Sequence, residues 1–134
     1  MTEAHPTPGV GAVIVEDGRL LLIRRGRGAY RGYWAVPGGR QRRGETMRDA
    51  VIREVREETG LAVEVGGVVW AGDIMDDAEP PVYHYTVVDF SATPTGGRLG
   101  AGDDAAEVRW VPLEEVRLLQ VTPTMEELLQ AIGS

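Results

Sequence analysis

Short apolar runs separated by glycine, proline and charged residues predict that much of this chain forms β-strands. Residues 10–16 and 19–25 are two such runs, and the pair Asp17-Gly18 between them is a turn signal that predicts a hairpin. Residues 1–9 contain two prolines and few apolar side chains. We therefore expect a flexible N-terminal tail before one domain over residues 10–134.

The segment between Glu45 and Gly60 has apolar residues at the spacing of a helix instead. Its apolar side chains recur at every fourth residue, at Met47, Val51 and Val55. Glu45 or Thr46 stands where a helix N-cap belongs, and Gly60 stands where a glycine commonly ends a helix. The pattern therefore predicts a helix that begins near Glu45 and ends before Gly60.

The remaining segments predict more strands than helices. Residues 26–44 are rich in glycine and arginine and predict a loop, apart from a brief strand at residues 33–36. Further strands are expected at residues 61–71 (interrupted by Gly66-Gly67), 82–92 and 107–111, with loops at 72–81 and 93–106. Thr122-Pro123 predicts the start of a last helix that ends near Ile132. This order indicates an α/β fold, a mixed β-sheet packed between helices.

The composition narrows the classes of function. The chain has 134 residues, of which 43% are hydrophobic and 26% charged, the balance of one globular domain. No apolar run approaches the roughly 20 residues that span a bilayer, so we expect no membrane partner. Cysteine is absent, which excludes disulfides and thiolate metal sites and makes a cytoplasmic location the expectation.

The charges are unevenly distributed along the chain. The net charge of −7 disfavours binding to a nucleic acid polymer. All 14 basic residues are arginines, and 11 of them lie between residues 19 and 56, whereas acids dominate the remainder. This distribution predicts an arginine-rich zone that receives phosphates, beside carboxylates that hold the accompanying metal.

Three glutamates carry the candidate chemistry. Glu54, Glu57 and Glu58 are spaced i, i+3 and i+4, which places them on one helix face. Like charges so close repel, and a hard divalent cation such as Mg²⁺ offsets that repulsion while bridging carboxylates to phosphates. Taken alone, such a triplet is more commonly a solvated acidic face.

The residues before the triplet favour the metal interpretation. The glycines of Pro37-Gly38-Gly39 permit close approach of the backbone, and an exposed carbonyl there would complete a metal shell. Glu45 lies eight positions before Arg53, so a loop that folds back would let the two side chains pair.

The segment from Gly39 to Leu61 resembles the Nudix box, G-x5-E-x7-R-E-U-x-E-E-x-G-U with U apolar, at every specified position. The matching residues are Gly39, Glu45, Arg53, Glu54, Val55, Glu57, Glu58, Gly60 and Leu61. Flanking stretches also resemble the family, W-A-V-P-G-G at residues 34–39 and V-R-W-V-P-L-E-E at residues 108–115. The resemblance implies an α/β/α sandwich around a mixed sheet, over about residues 10–132.

The resemblance also implies roles for the box residues. Glu54, Glu57 and Glu58 are implied as catalytic metal ligands, with the Gly39 carbonyl as a further ligand for Mg²⁺ or Mn²⁺. Arg53 belongs to the catalytic motif and, with Glu45, orients loop and helix, while Gly60 is structural. The general base stays open among Glu54, Glu57 and the later loop acids Asp103, Asp104 and Glu107.

Three more side chains are candidates for binding substrate. Arg24 and Arg25 end the second strand near the box loop, and strand alternation allows only one of them to face a cleft. For these two arginines, a role in binding phosphate and a role as an exposed charge at the sheet edge are equally expected. Trp34 is a candidate for stacking on a base, although packing in a core is the commoner role of such an aromatic.

The substrate class follows from resemblance alone. The chain looks most like small ADP-ribose pyrophosphatase-type members. This resemblance implies that the substrate is a small nucleotide, ADP-ribose, which is hydrolysed to AMP and ribose 5-phosphate. A proline often found shortly after the box in ADP-ribose-selective members is absent here, since the nearest are Pro80 and Pro81. The alternative is a (d)NTP pyrophosphatase of the mutator type acting on oxidised dGTP. A non-catalytic nucleotide sensor is less favoured because no box carboxylate is missing. Both a monomer and a homodimer remain open.

Overall fold

Two four-stranded β-sheets form the centre of the computed structural model, which describes residues 5–102 and 105–133. The strands are, in chain order, β1 (Thr7–Val13), β2 (Val15–Glu16), β3 (Arg19–Arg25), β4 (Trp34–Ala35), β5 (Gly38–Arg40), β6 (Leu61–Met75), β7 (His84–Gly97) and β8 (Ala105–Pro112). The first sheet has the order β5-β1-β7-β6 and is mixed, because β1 runs parallel to β7. In the second sheet, β3 pairs antiparallel with β2, β4 and β8.

Helices cover both sides of these sheets. They are α1 (Met47–Thr59), a 3-10 helix (Leu113–Leu118) and α2 (Met125–Ala131). Side chains of β3 alternate between two cores, as the period of a strand requires. Leu21 packs in the core that contains Val55 of α1, whereas Leu20 and Leu22 pack in the core that contains Leu128 of α2. The α/β class with a mixed sheet between helices is therefore confirmed.

No helix in the described part of the chain is long and apolar enough to cross a bilayer.

Helix α1 begins and ends as its sequence predicts. Thr46 is the N-cap, and its hydroxyl accepts a hydrogen bond from the Asp49 amide at 3.1 Å. Gly60 follows the helix with a left-handed φ of 80°, where a side chain would strain the backbone. A Cβ on Gly60 would also overlap the Arg98 carbonyl oxygen, so glycine is required there on two grounds.

The predicted hairpin at residues 10–16 and 19–25 is only partly present. The first run divides at buried Ile14, so that β1 joins the first sheet and only β2 pairs with β3. The chain crosses between the sheets there, and the Ile14 carbonyl accepts a hydrogen bond from the Leu21 amide at 3.0 Å. Strand β1 also begins at Thr7, inside the expected tail, because residues 7–9 pair with β7. Residues 1–4 of that tail lie outside the described residues.

Three stretches expected to be loops contain strand. Strand β5 occupies residues 38–40 and pairs with β1, so that Gly39 lies opposite Val10. Strands β6 and β7 extend into the expected loops because each pairs with the other along most of its length. Their register shifts around Gly66-Gly67, where the sequence predicted an interruption.

The last helix begins later than the sequence predicted. Thr124, not Thr122, precedes α2, and the helix ends at Ala131. The Thr122 carbonyl accepts a hydrogen bond from the Met125 amide at 3.0 Å, so Thr122-Pro123 forms a turn that leads into the helix.

Candidate active site

Arg53 ties the loop after β5 to helix α1. Its Nε donates to Glu45 Oε2 at 2.7 Å, and its Nη2 donates to Glu45 Oε1 at 3.0 Å and to the Arg40 carbonyl at 2.9 Å. The Arg42 amide donates to Glu45 Oε1 at 3.0 Å. Hydrogen bonds from Arg53 and then from Arg42 hold the pKa of Glu45 at about 2. The predicted pairing of Glu45 with Arg53 is confirmed.

The same guanidinium also joins two of the three candidate carboxylates. Arg53 Nη1 donates to Glu54 Oε1 at 2.7 Å and to Glu57 Oε1 at 2.9 Å. Its hydrogen bond to Glu45 is the largest cause of the raised pKa of Arg53, with further contributions from Glu57 and Glu54. Arg53 therefore offsets the repulsion between acids that the sequence places on one helix face.

Glu58 is the most buried of the three, with only 5% of its surface exposed. Its Oε1 accepts a hydrogen bond from the Gly38 amide at 2.7 Å, which fixes the carboxylate against β5. Burial raises the pKa of the neighbouring Glu54 above its ordinary value, despite the opposing effect of Arg53. The three glutamates thus occupy different electrostatic environments on one helix.

The glycines of β5 allow this close approach. A Cβ on Gly39 would lie 2.5 Å from Glu54 Cδ and 2.6 and 2.7 Å from its two oxygens. A Cβ on Gly38 would overlap the Val10 carbonyl oxygen, which is backbone of the adjacent strand. Glycine at position 38 therefore lets β5 approach β1, and glycine at position 39 lets the Glu54 carboxylate pack against β5.

The oxygen donors at this place suit a hard divalent cation. Arg53 donates to Oε1 of Glu54 and of Glu57. The backbone of Gly39 lies directly against the Glu54 carboxylate. Within residues 5–102 and 105–133, no three acid or histidine side chains converge as a preformed metal cluster. The carboxylate and backbone oxygens present are nevertheless the kind of donor that Mg²⁺ prefers.

A cleft of about 680 Å³ opens beside these groups. Its lining includes charged side chains, namely Arg25, Arg27, Arg40, Arg42, Arg53, Glu54 and Glu58. It also includes apolar or aromatic side chains, namely Tyr30, Val36, Ile74, Tyr85, Val87, Met125 and Leu128. The cleft therefore offers both charged and apolar contacts to a ligand.

The two arginines at the end of β3 separate as strand alternation predicts. Arg25 lines the cleft, and its Nε donates to the Ala29 carbonyl at 2.6 Å. Arg24 does not line the cleft and lies 3.5 Å from Glu107 Oε1 on the adjacent strand β8. Of these two arginines, Arg25 alone faces the cleft.

The sequence suggested Trp34 as a substrate contact, and the structure shows that this expectation was wrong. Its side chain is 6% exposed and packs in the core with α2, and the Arg109 guanidinium lies 4.7 Å from its ring centroid. The indole does not line the cleft. Strand β4 pairs with β3 and turns this ring inward, so a stacking role for Trp34 is not supported.

The later acids considered as bases are not brought to the cleft in the described part of the chain. Glu107 pairs with Arg109 at 2.9 Å, and that hydrogen bond is the main reason that the pKa of Glu107 is lowered. Asp103 and Asp104 lie outside the described residues. Glu57 faces Arg53 but does not line the cleft, which leaves Glu54 and Glu58 as the α1 acids that do.

Asp89 is a cleft residue that no sequence motif marks; it lines the cleft from β7 and is 5% exposed. One signal was present, because Asp89 is the sole acid in the apolar run at residues 82–92. Tyr30 was also missed; it lines the cleft and lies 5.5 Å from Tyr33 between ring centroids.

We expect Glu45→Gln to weaken the contact between loop and helix, because the amide keeps an acceptor but loses the charge. The pKa of Glu45 is lowered from 4.5 to about 2, so its stabilising effect is complete above pH 4.5 and is lost as the pH falls towards 2. Denaturant midpoints of the two proteins should therefore differ most at pH 7 and converge below pH 4.5. Equal midpoints at pH 7 would show that the ion pair does not stabilise the fold.

Comparison with known proteins assigns the family. Residues 5–132 match the NUDIX domain. The chain belongs to the Nudix family. It is 37% identical over 112 residues to an ADP-ribose pyrophosphatase of Methanocaldococcus jannaschii, covering 84% of this chain and 65% of that relative. It is also 37% identical over 117 residues to a MutT-like protein of Streptomyces ambofaciens, covering 84% and 67% of the two chains.

A solved structure agrees with this assignment. The MutT NUDIX hydrolase of Burkholderia pseudomallei superposes with a TM-score of 0.84 at 29% identity, over 96% of this chain and 99% of that chain. The Nudix fold accounts for the mixed sheet, for the box helix α1 and for the packing of its glutamates against β5.

Proposed function

We propose that this Nudix protein hydrolyses the diphosphate linkage of ADP-ribose to give AMP and ribose 5-phosphate. The observation that carries the proposal is the cleft itself, whose lining includes box carboxylates, arginines and apolar side chains. The similarity to an ADP-ribose pyrophosphatase over 84% of the chain supports this choice among diphosphate substrates.

Glu54, Glu57, Glu58 and the Gly39 carbonyl would hold Mg²⁺ or Mn²⁺. When bound, the cation supplies charge neutralisation at the diphosphate oxygens and lowers the pKa of a coordinated water. Arg53 holds Glu54 and Glu57 beside each other before the ion binds. Its ties to Glu45 and the Arg40 carbonyl keep the loop and the helix in one orientation.

The attacking water must lose a proton as its oxygen bonds to phosphorus. Glu54 is the best-placed acceptor, because it lines the cleft and because burial raises the pKa of its carboxyl above the ordinary value. Glu57 is the second candidate. Arg25 and the other arginines of the cleft bind phosphate oxygens and orient the linkage.

A nucleoside triphosphate pyrophosphatase of the mutator type is the second candidate function. The similarity to a MutT-like protein over 84% of the chain favours it. The two functions share the carboxylates of α1 and differ in the group that occupies the remainder of the cleft.

Product release with a substrate panel separates these functions. The panel contains ADP-ribose, NADH, 8-oxo-dGTP, the four dNTPs and diadenosine polyphosphates, each with and without Mg²⁺. We expect kcat/KM to be highest for ADP-ribose and turnover to require the metal. A higher kcat/KM for 8-oxo-dGTP or the dNTPs would reject ADP-ribose as the preferred substrate and favour the second candidate.

A further inference from the structure

Asp89 is a buried carboxyl that the fold leaves without a partner. Its side chain is 5% exposed, and Oδ1 is fully buried with no hydrogen-bond partner among the described residues. Buried polar atoms are almost always satisfied by hydrogen bonds, because an unmade bond costs the full desolvation of the group. The desolvation raises the pKa of Asp89 to about 6. This residue therefore costs stability in the free protein.

The side chain of Asp89 lines the cleft, while its buried Oδ1 packs against Gly11 of the adjacent strand. On β7 it follows Tyr85 and Val87 at alternate positions, and all three line the cleft. The neighbouring Phe90 packs on the other side, in the core with α1. Across the sheet from Asp89 is Gly11 of β1, where a Cβ would overlap Asp89 Oδ1. Glycine at position 11 thus makes room for the carboxyl.

The position of Asp89 relative to the box carboxylates matches the two ends of a nucleotide. β7 is two strands away from β5 in the first sheet, a separation of roughly 10 Å at the usual strand spacing. The Gly38 amide of β5 holds Glu58, beside which the diphosphate is expected. A ribose between diphosphate and base spans a distance of this order.

The walls near Asp89 suit a flat ring. Val36 lies beside Gly11, and Val87, Met125 and Leu128 supply further apolar surface in the same cleft. A planar heteroaromatic group that presents an N–H donor would contact this apolar surface and donate to the second oxygen of the carboxyl, Oδ2.

We propose that Asp89 binds the amino-bearing edge of the substrate's nucleobase and thereby selects adenine over hypoxanthine. The proposal rests on the proposed function, since it takes the diphosphate to lie at the box carboxylates. An ionised carboxyl accepts a hydrogen bond from an exocyclic amino group, whereas it faces repulsion from a carbonyl oxygen at the same position. Asp89 acts on affinity and selectivity and takes no part in the bond cleavage.

The test is calorimetric binding of ADP and of IDP to the full chain at pH 8, without added metal. The wild type should bind ADP roughly 10- to 100-fold more tightly than IDP, the effect of one hydrogen bond to a charged group. Asp89→Asn should bring the ratio close to one, because an amide both accepts and donates. Asp73→Asn is the matched control, because it makes the same change at an exposed position of β6. This variant should keep the wild-type ratio of ADP affinity to IDP affinity.

Each other outcome overturns the proposal. Equal affinity of the wild type for ADP and IDP, or an unchanged ratio in Asp89→Asn, would each show that Asp89 does not select the base. Thermal unfolding of Asp89→Asn excludes misfolding as the cause of a lost ratio. Turnover of ADP-ribose by the same wild-type preparation with Mg²⁺ reports separately on the proposed function, which can stand when the assignment of Asp89 fails.

Discussion

Replacing Glu57 and Glu58 together with glutamine is expected to lower kcat for ADP-ribose by about 10³-fold at saturating Mg²⁺. This corresponds to roughly 4 kcal/mol of activation free energy, the scale of charge stabilisation that metal ions supply. The fold should survive, because a glutamine oxygen still accepts the bonds from Arg53 and from the Gly38 amide. Removing two like charges from one helix face also lessens repulsion.

The control for this variant is Asp49→Asn. Asp49 is exposed on the first turn of the same helix and lies away from the cleft, so the change removes one negative charge outside the site. Its kcat should stay within twofold of the wild type. Full turnover by the double variant, with an unchanged dependence on Mg²⁺, would reject the assignment of α1 as the metal-binding helix.

Gly39→Ala should lower kcat/KM by about 10²-fold while leaving the fold intact. The new Cβ would lie 2.5 to 2.7 Å from three atoms of the Glu54 carboxyl group, so that group must move. A displacement of about 1 Å in a catalytic group costs rate on this scale. The fold should persist because the group that must give way is the end of a flexible side chain rather than backbone.

Steady-state kinetics and thermal unfolding of Gly39→Ala check this expectation. Gly67→Ala serves as the control, because a Cβ at Gly67 in β6 meets nothing within 4 Å. Wild-type kcat/KM in Gly39→Ala would mean that the position of Glu54 against the loop is unimportant. A large fall in the unfolding temperature would mean that the glycine supports the fold instead of the site.

The local features of the sequence predicted the box segment well. Helix α1, its Thr46 cap and the Gly60 end depend on residues within one or two turns, so the sequence alone indicates them. The pairing of Glu45 with Arg53 also follows from spacing, once the loop is assumed to fold back. Strand β5 did not follow, because its pairing with β1 is a contact between distant residues that local pattern does not encode.

Trp34 and Asp89 could not be placed from the sequence for the same reason, namely that their environment depends on residues distant in the chain. A tryptophan at the end of a loop suits either a ligand or a core, and the burial of Trp34 is decided by α2 and by Arg109. An aspartate within a strand suits either solvent or a cleft. Asp89 becomes informative only when Gly11 is seen beside it on the neighbouring strand.

Hydrolysis of ADP-ribose in ¹⁸O-labelled water, followed by mass spectrometry of the products, shows which atom the water attacks. Metal-assisted attack on phosphorus predicts AMP and ribose 5-phosphate in equal amounts, with one ¹⁸O atom per turnover in a phosphate group and only in the presence of Mg²⁺ or Mn²⁺. Release of free adenine, label on a sugar carbon, or equal turnover in excess chelator would contradict metal-assisted attack of water on phosphorus.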